Sequence, residues 1–186
     1  HLLAGGASVA IHARSSSIDL DALRAQLPFP DQKVSLHRAD LRRRDSAQAM
    51  VAEAVGALGG LDILVNNAGM VTHGAQPDGL APEMFDKTLD LMVSGVGLLV
   101  SAAWPYLAAS GQGRIVLVSS SGGVFGIPTS ACYGAAKGGV IGLLRCQGDF
   151  VGVAAVRVHG QLAIAALHRD RAAREGLGAR RSGDAG

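Results

Sequence analysis

The chain has 186 residues, enough for one α/β domain with a tail and too few for two full cores. Its 17 Lys and Arg nearly balance 15 Asp and Glu, so net charge gives no case for a nucleic-acid partner or an acidic lipid surface. An apolar share of 48% excludes a disordered chain, 26 glycines announce many tight turns, and 4% aromatics are too few for a base-stacking platform.

The first residue is His1, and Leu2, Leu3 and Ala4 before Gly5 and Gly6 read as the last turn of a helix with its glycine cap. The sequence therefore predicts an upstream segment that this chain lacks. Strands are expected over 8–12, 33–36 and 61–65, with helices over 18–27 and 46–58 between them, an alternation that calls for a parallel sheet. Pro82 suits the first turn of a long helix over 82–109, Gly111-Gln112-Gly113 turns into a strand over 114–118, and a second long helix covers 132–145. The apolar stretch 91–106 is broken by Ser94, Gly95, Gly97, Ser101 and Pro105, which makes it a buried helix and not a membrane span. After a strand over 153–158 the periodicity fades. From Arg157 onward six Arg accompany three acidic residues and few large apolar side chains, so residues 159–186 are expected to be a frayed or disordered tail behind a domain over 1–158.

Cys132 and Cys146 have no signal peptide before them, which predicts reduced thiols and a cytoplasmic protein. The six histidines never fall at ligand spacing with Cys or carboxylates, so no metal is expected.

Tyr133 and Lys137 are four apart in a helical stretch and share one face, while Ser120 lies just past the carboxyl end of the 114–118 strand. In open α/β sheets that edge is where ligands bind. A phenol titrates near ~10, and bringing one to about 7 takes roughly 4 kcal/mol of differential stabilisation, which a nearby ammonium and a bound cation can supply. Such a phenol could exchange a proton with an alcohol or carbonyl while a serine hydroxyl binds the same oxygen. Alone, a Tyr and Lys at this spacing are common in helices. Asn66-Asn67-Ala68-Gly69 directly follows the 61–65 strand, again at the carboxyl edge, where small residues let backbone approach a ligand.

The order of strand, Asn66-Asn67-Ala68-Gly69, long helix, strand, Ser119-Ser120-Ser121-Gly122-Gly123 and Tyr133-Gly134-Ala135-Ala136-Lys137 resembles the short-chain dehydrogenase/reductase family over roughly residues 1–158. The resemblance implies a doubly wound, Rossmann-like parallel sheet and an oxidoreductase moving hydride between a nicotinamide cofactor and a small alcohol or ketone. Tyr133 would be the general acid/base, Lys137 its electrostatic partner and a ribose ligand, and Ser120 the group that orients substrate. Asn66, Asn67, Ala68 and Gly69 would line the cofactor cleft, and Leu41 would pack beside the base. Asp40 matches the family aspartate that contacts adenine, with a helix-capping acid as the other reading. Ala13-Arg14 stands where NAD users carry an Asp, so Arg14 would pair with a 2′-phosphate and favour NADP(H) over NAD(H), unless it is a solvated loop residue. The family uses its two long helices to dimerise, which implies a homo-oligomer.

The departures carry equal information. The family's glycine-rich phosphate loop, its preceding strand and its following helix are absent, which would leave the sheet open between the 8–12 and 61–65 strands. The family's helix Asn falls at Met92, and the nicotinamide segment after Val158 is replaced by His159-Gly160-Gln161-Leu162. A catalytically inactive remnant of the family, unable to hold a dinucleotide tightly, is therefore the alternative reading.

Overall fold

Short β-branched runs separated by helices leave the chain little choice but parallel pairing, because a crossover helix returns each strand in the same direction. In a computed structural model, which describes residues 2–14, 18–25, 27, 32–70, 81–147, 153–158 and 161–166, these runs form two sheets. β1 (Val9–His12) and β2 (Val34–His37) pair in parallel, Val9 opposite Val34 and His12 opposite His37. β3 (Ile63–Asn66), β4 (Arg114–Val118) and β5 (Val153–Val158) form a second parallel set, and β6 (Gln161–Ala166) returns antiparallel on β5. The expectation of an unstructured tail from residue 159 fails over 161–166. Alanines in that run give weak strand propensity, but pairing with β5 supplies the backbone bonds that propensity alone does not.

α1 (Leu20–Arg24) is shorter than the helix expected over 18–27, and Asp19 caps it by accepting from the Asp21 and Ala22 N–H groups. α2 (Arg44–Leu58) ends on Gly59, whose φ of 92° needs no Cβ. The long helix divides. α3 (Pro82–Leu89) begins with its first-turn proline, passes through a π-helical turn at Asp90–Ser94, and continues as α4 (Gly95–Ser110). α5 (Gly122–Phe125) was not anticipated, and α6 (Ala131–Gln147) covers the second long helix.

One face of the sheets carries the core. Ile115 and Leu117 alternate inward from β4 and meet Val96, Leu99 and Leu107 of α4, Val51 of α2, and Val140 and Leu144 of α6. Pro82–Ser110 is 29 residues long and holds an 18-residue window of mean hydropathy 1.6, long and apolar enough to cross a bilayer; 39% of that window is buried, and α4 turns Val96, Leu99, Val100, Ala103 and Leu107 into this core. The other face is bare at β3, where Ile63 and Val65 are 51% and 48% exposed. α2 packs on β1 and β2 and also on α4, which packs on β3, so one helix layer bridges both sheets. Among the described residues β1 and β3 form no ladder, leaving an α/β fold that is Rossmann-like and open between them.

Candidate active site

The carboxyl ends of β1, β2, β3 and β4 lie at the same edge of their parallel sheets, and every candidate residue falls there or on the helices behind it. At the end of β4, Lys137 of α6 is nearly buried and its Nζ donates to the Val118 carbonyl at 2.7 Å. Burial pushes its ammonium below the ordinary lysine range, since charge is disfavoured away from water. The same ammonium lies 5.8 Å from the centre of the Tyr133 ring, within cation–π range. Tyr133 itself is half-buried, open on one side.

Two neighbours hold Lys137 from its own backbone. Ser119 Oγ donates to the Lys137 carbonyl at 2.8 Å, a bond buried between β4 and α6. Gly123 of α5 lies against the same segment so closely that a Cβ there would sit 2.6 Å from the Lys137 carbonyl carbon. Ser119 and Gly123 were missed as positioning residues. The signal is present in the Ser119-Ser120-Ser121-Gly122-Gly123 run, whose small residues allow close approach of α6. Ser120 is half-buried and its Oγ accepts from the Gly122 N–H at 3.2 Å, which leaves the hydroxyl proton to donate elsewhere.

The Asn66-Asn67-Ala68-Gly69 turn reaches this cluster through its last residue. A Cβ at Gly69 would lie 3.6 Å from Met92 Cε and 3.8 Å from Lys137 Nζ. Asn66 is buried at the end of β3, Asn67 and Gly69 are exposed, and Ala68 packs at the edge of the core. Met92, in the π-helical turn, is 1% exposed and puts a thioether where the resemblance places an amide.

A second group forms at the ends of β1 and β2. Arg14 is exposed, and its charge contributes to lowering the Asp40 carboxyl. The main cause is Arg42, whose Nε donates to Asp40 at 2.8 Å and holds its pKa down to about 2. Asp40 is not the helix cap, because Arg43 occupies the N-cap of α2 and the Ser46 hydroxyl accepts from the Asp40 N–H. Leu41 is 3% exposed in the core cluster. Cys132 is buried and Cys146 exposed, and both are free thiols.

The chain that carries this serine, tyrosine and buried lysine is similar over most of its length to known proteins. The profile of the short chain dehydrogenase family matches residues 1–163. The chain belongs to the short-chain dehydrogenase/reductase family. It is 31% identical over 159 residues to a 2,5-dichloro-2,5-cyclohexadiene-1,4-diol dehydrogenase of Sphingobium indicum, covering 85% of this chain and 62% of that protein. A trans-4-hydroxycyclohexanecarboxylate dehydrogenase of Sinomonas cyclohexanicum is 38% identical over 120 residues, 64% of this chain and 46% of its own length. Among solved structures, a levodione reductase superposes with a TM-score of 0.72 at 30% identity, over 80% of this chain and 58% of that one. The chain thus spans about half to three-fifths of the length of the proteins it matches. Members of the family are oxidoreductases of alcohols and ketones that bind nicotinamide dinucleotides.

Proposed function

We propose that these residues form the catalytic core of an oxidoreductase that moves hydride between NADP(H) and a ring alcohol or its ketone. The observation that carries this reading is the Lys137 ammonium, held at 2.7 Å by Val118 O and 5.8 Å from the Tyr133 ring, beside Ser120 on the same strand end. Tyr133 gives its phenolic proton to the carbonyl oxygen in reduction and takes it back in oxidation. Lys137 stabilises the phenolate left behind, and the Ser120 hydroxyl donates to the substrate oxygen as charge builds on it. Exposed Asn67 and Gly69 offer open backbone and amide groups at this edge, a donor set suited to the ribose and nicotinamide, and the bound nicotinamide supplies or accepts the hydride.

The preference for NADP(H) rests on exposed Arg14. Asp40's carboxylate is taken up by Arg42, which leaves Arg14 to meet a 2′-phosphate. Two of the relatives are named for alcohols on six-membered rings, which supports a ring substrate, as do exposed Val124, Phe125 and Ile127 just beyond Ser120. Half-buried Leu98, Trp104, Tyr106 and Leu143 on α4 and α6 support a homo-oligomer through those helices, and free thiols suit a cytoplasmic setting. Met92 favours a second reading, an inactive relative, because a thioether cannot take the polar role of an amide beside Lys137.

Calorimetric titration of NADPH into the chain separates the two readings. Micromolar binding supports the oxidoreductase, and Arg14→Ala should then remove about 1.5–3 kcal/mol of preference over NADH. Tyr133→Phe should abolish NADPH oxidation by a cyclic ketone while sparing that affinity. Binding no tighter than millimolar supports the inactive relative.

A further inference from the structure

Along β2 a second row of reactive side chains has no part in the site above. Lys33, Ser35 and His37 alternate along the strand and the residue before it, so all three share one face. That face looks onto α2. Lys33 Nζ donates to the Leu58 carbonyl at 3.3 Å, and His37 Nδ1 lies 3.5 Å from Glu53 Oε2, one helical turn before Ala57. Between them, Ser35 Oγ lies 2.8 Å from His37 Nε2. His37 is 8% exposed, while Ser35 is half-buried and opens onto a cleft of about 570 Å³ that Arg24, Leu27, Lys33 and Ala57 also line.

The carboxylate decides the roles of the ring nitrogens. Glu53 only accepts, so Nδ1 carries the proton facing it and Nε2 is left to accept from the Ser35 hydroxyl. A serine whose proton points onto a buried imidazole, itself oriented by a carboxylate, is an activated nucleophile. Two cations line the same cleft: Lys33, whose Nζ meets only the Leu58 carbonyl at 3.3 Å among the described residues and can turn to an acyl oxyanion or a negative charge on the substrate, and Arg24, which is paired with Asp21 at 3.0 Å.

We propose that Ser35 and His37, oriented by Glu53, form a second reactive centre that hydrolyses small carboxylic esters bearing a negative charge. Ser35 Oγ forms a bond to the acyl carbon as its proton passes to His37 Nε2. The bond from that carbon to the alcohol oxygen breaks, and the alcohol leaves with the proton from His37. Water then bonds to the acyl carbon, its proton passing through His37 back to Ser35 as the acyl–Oγ bond breaks and the carboxylic acid departs. Ester and water become acid and alcohol with no change of oxidation state. Glu53 is a positioning residue, since it reaches the substrate only through His37.

The test is to incubate the full chain with a fluorophosphonate, remove the excess, digest with trypsin after Lys33 and Arg38, and weigh the 34–38 peptide. The expected result is a phosphonyl adduct on Ser35 that is absent in Ser35→Ala and forms at least about 100-fold more slowly in His37→Gln. Glu53→Gln, a change in a solvent-facing side chain, should lower the maximal labelling rate about tenfold without moving the reagent concentration for half-maximal rate, and Glu53→Asp should restore part of it. Wild type should also cleave p-nitrophenyl hemisuccinate faster than p-nitrophenyl acetate, and Ser35→Ala should lose that difference. No adduct on Ser35 in a chain whose circular dichroism shows it folded would overturn the proposal. So would equal labelling rates in wild type and Glu53→Gln, or unchanged hemisuccinate cleavage in Ser35→Ala.

Discussion

Gly123→Ala tests whether backbone contact between α5 and α6 is what positions Lys137. The added Cβ would lie 2.6 Å from the Lys137 carbonyl carbon and 2.8 Å from the Gly138 nitrogen, both backbone atoms that no rotamer change can move aside. Unbonded carbons settle at about 3.5–4.0 Å, so the helices must part by roughly 1 Å. Lys137 is tied to β4 by two bonds, from Ser119 Oγ to its carbonyl at 2.8 Å and from its Nζ to Val118 at 2.7 Å. Overpacking costs about 1–3 kcal/mol, and stretching a charged hydrogen bond costs a comparable amount; because one helix shift causes both, about 2–4 kcal/mol is expected in total. For a chain of this size that corresponds to a fall in Tm of roughly 5–15 °C in a scanning calorimeter. Gly97→Ala is the control, since its Cβ would meet nothing within 4 Å inside α4, and it should be neutral or raise Tm slightly. A Gly123→Ala variant melting within about a degree of wild type would refute the argument.

Asp40 is held at a pKa of about 2 against an ordinary 3.8, so the stability it contributes is present above the ordinary value and lost as pH falls toward 2. Its partner Arg42 is in solvent, so Asp40→Asn should cost under about 1 kcal/mol in urea unfolding near pH 7 and only a fraction of that near pH 2; an equal cost at both would show that the ion pair is not the cause. The pair of changes Ile63→Lys and Val65→Lys, on the bare face of β3, should reduce self-association in sedimentation velocity, and an unchanged distribution would mean that this face is not sticky. Met92→Asn buries an amide and should lower Tm, yet raise NADPH-dependent turnover if the thioether is what slows proton supply at Lys137; turnover that does not rise would clear Met92 of that role.

What the sequence made legible is the part of the molecule where local signals and tertiary demands agree. Leu61 to Val65 and Arg114 to Val118 are β-branched and apolar, and both became strands of one parallel ladder, displaced in the first case so that Asn66 closes β3. Pro82 and Gly111 mark the ends of the long helix, but nothing in its middle announces the π-helical turn at Asp90–Ser94, because one extra residue shifts the helical phase by about 100° and a stretch that is apolar on nearly every side hides that shift. Residues 161–166 were illegible for another reason, since a strand rich in alanine is made by its neighbour. The chemistry followed the same division. Tyr133 and Lys137 could be paired from a helical spacing of four, whereas Ser119 and Gly123 act through contacts between elements far apart in the chain. Asp40 suits a helix cap by its place in the sequence, yet Arg43 holds that position and the Asp40 carboxylate pairs with Arg42, a side chain whose direction no spacing rule reports.

The way Lys137 is held bears on what a change at residue 92 can do. Its carbonyl is fixed by Ser119, its ammonium by Val118 O, and its backbone by the close approach of Gly123, and none of these three contacts involves Met92. Met92 fills space against Gly69 and offers no strong donor or acceptor to the ammonium beside it. The geometry that places a phenol, an ammonium and a serine at one strand end is therefore independent of the polar group that the family keeps at this position, and a chain can lose the second without losing the first. The contacts that fix Lys137 and the side chain at residue 92 are separate features of this site, so the placing of Ser120, Tyr133 and Lys137 speaks to its architecture and leaves the rate of the proposed chemistry to the Met92→Asn experiment.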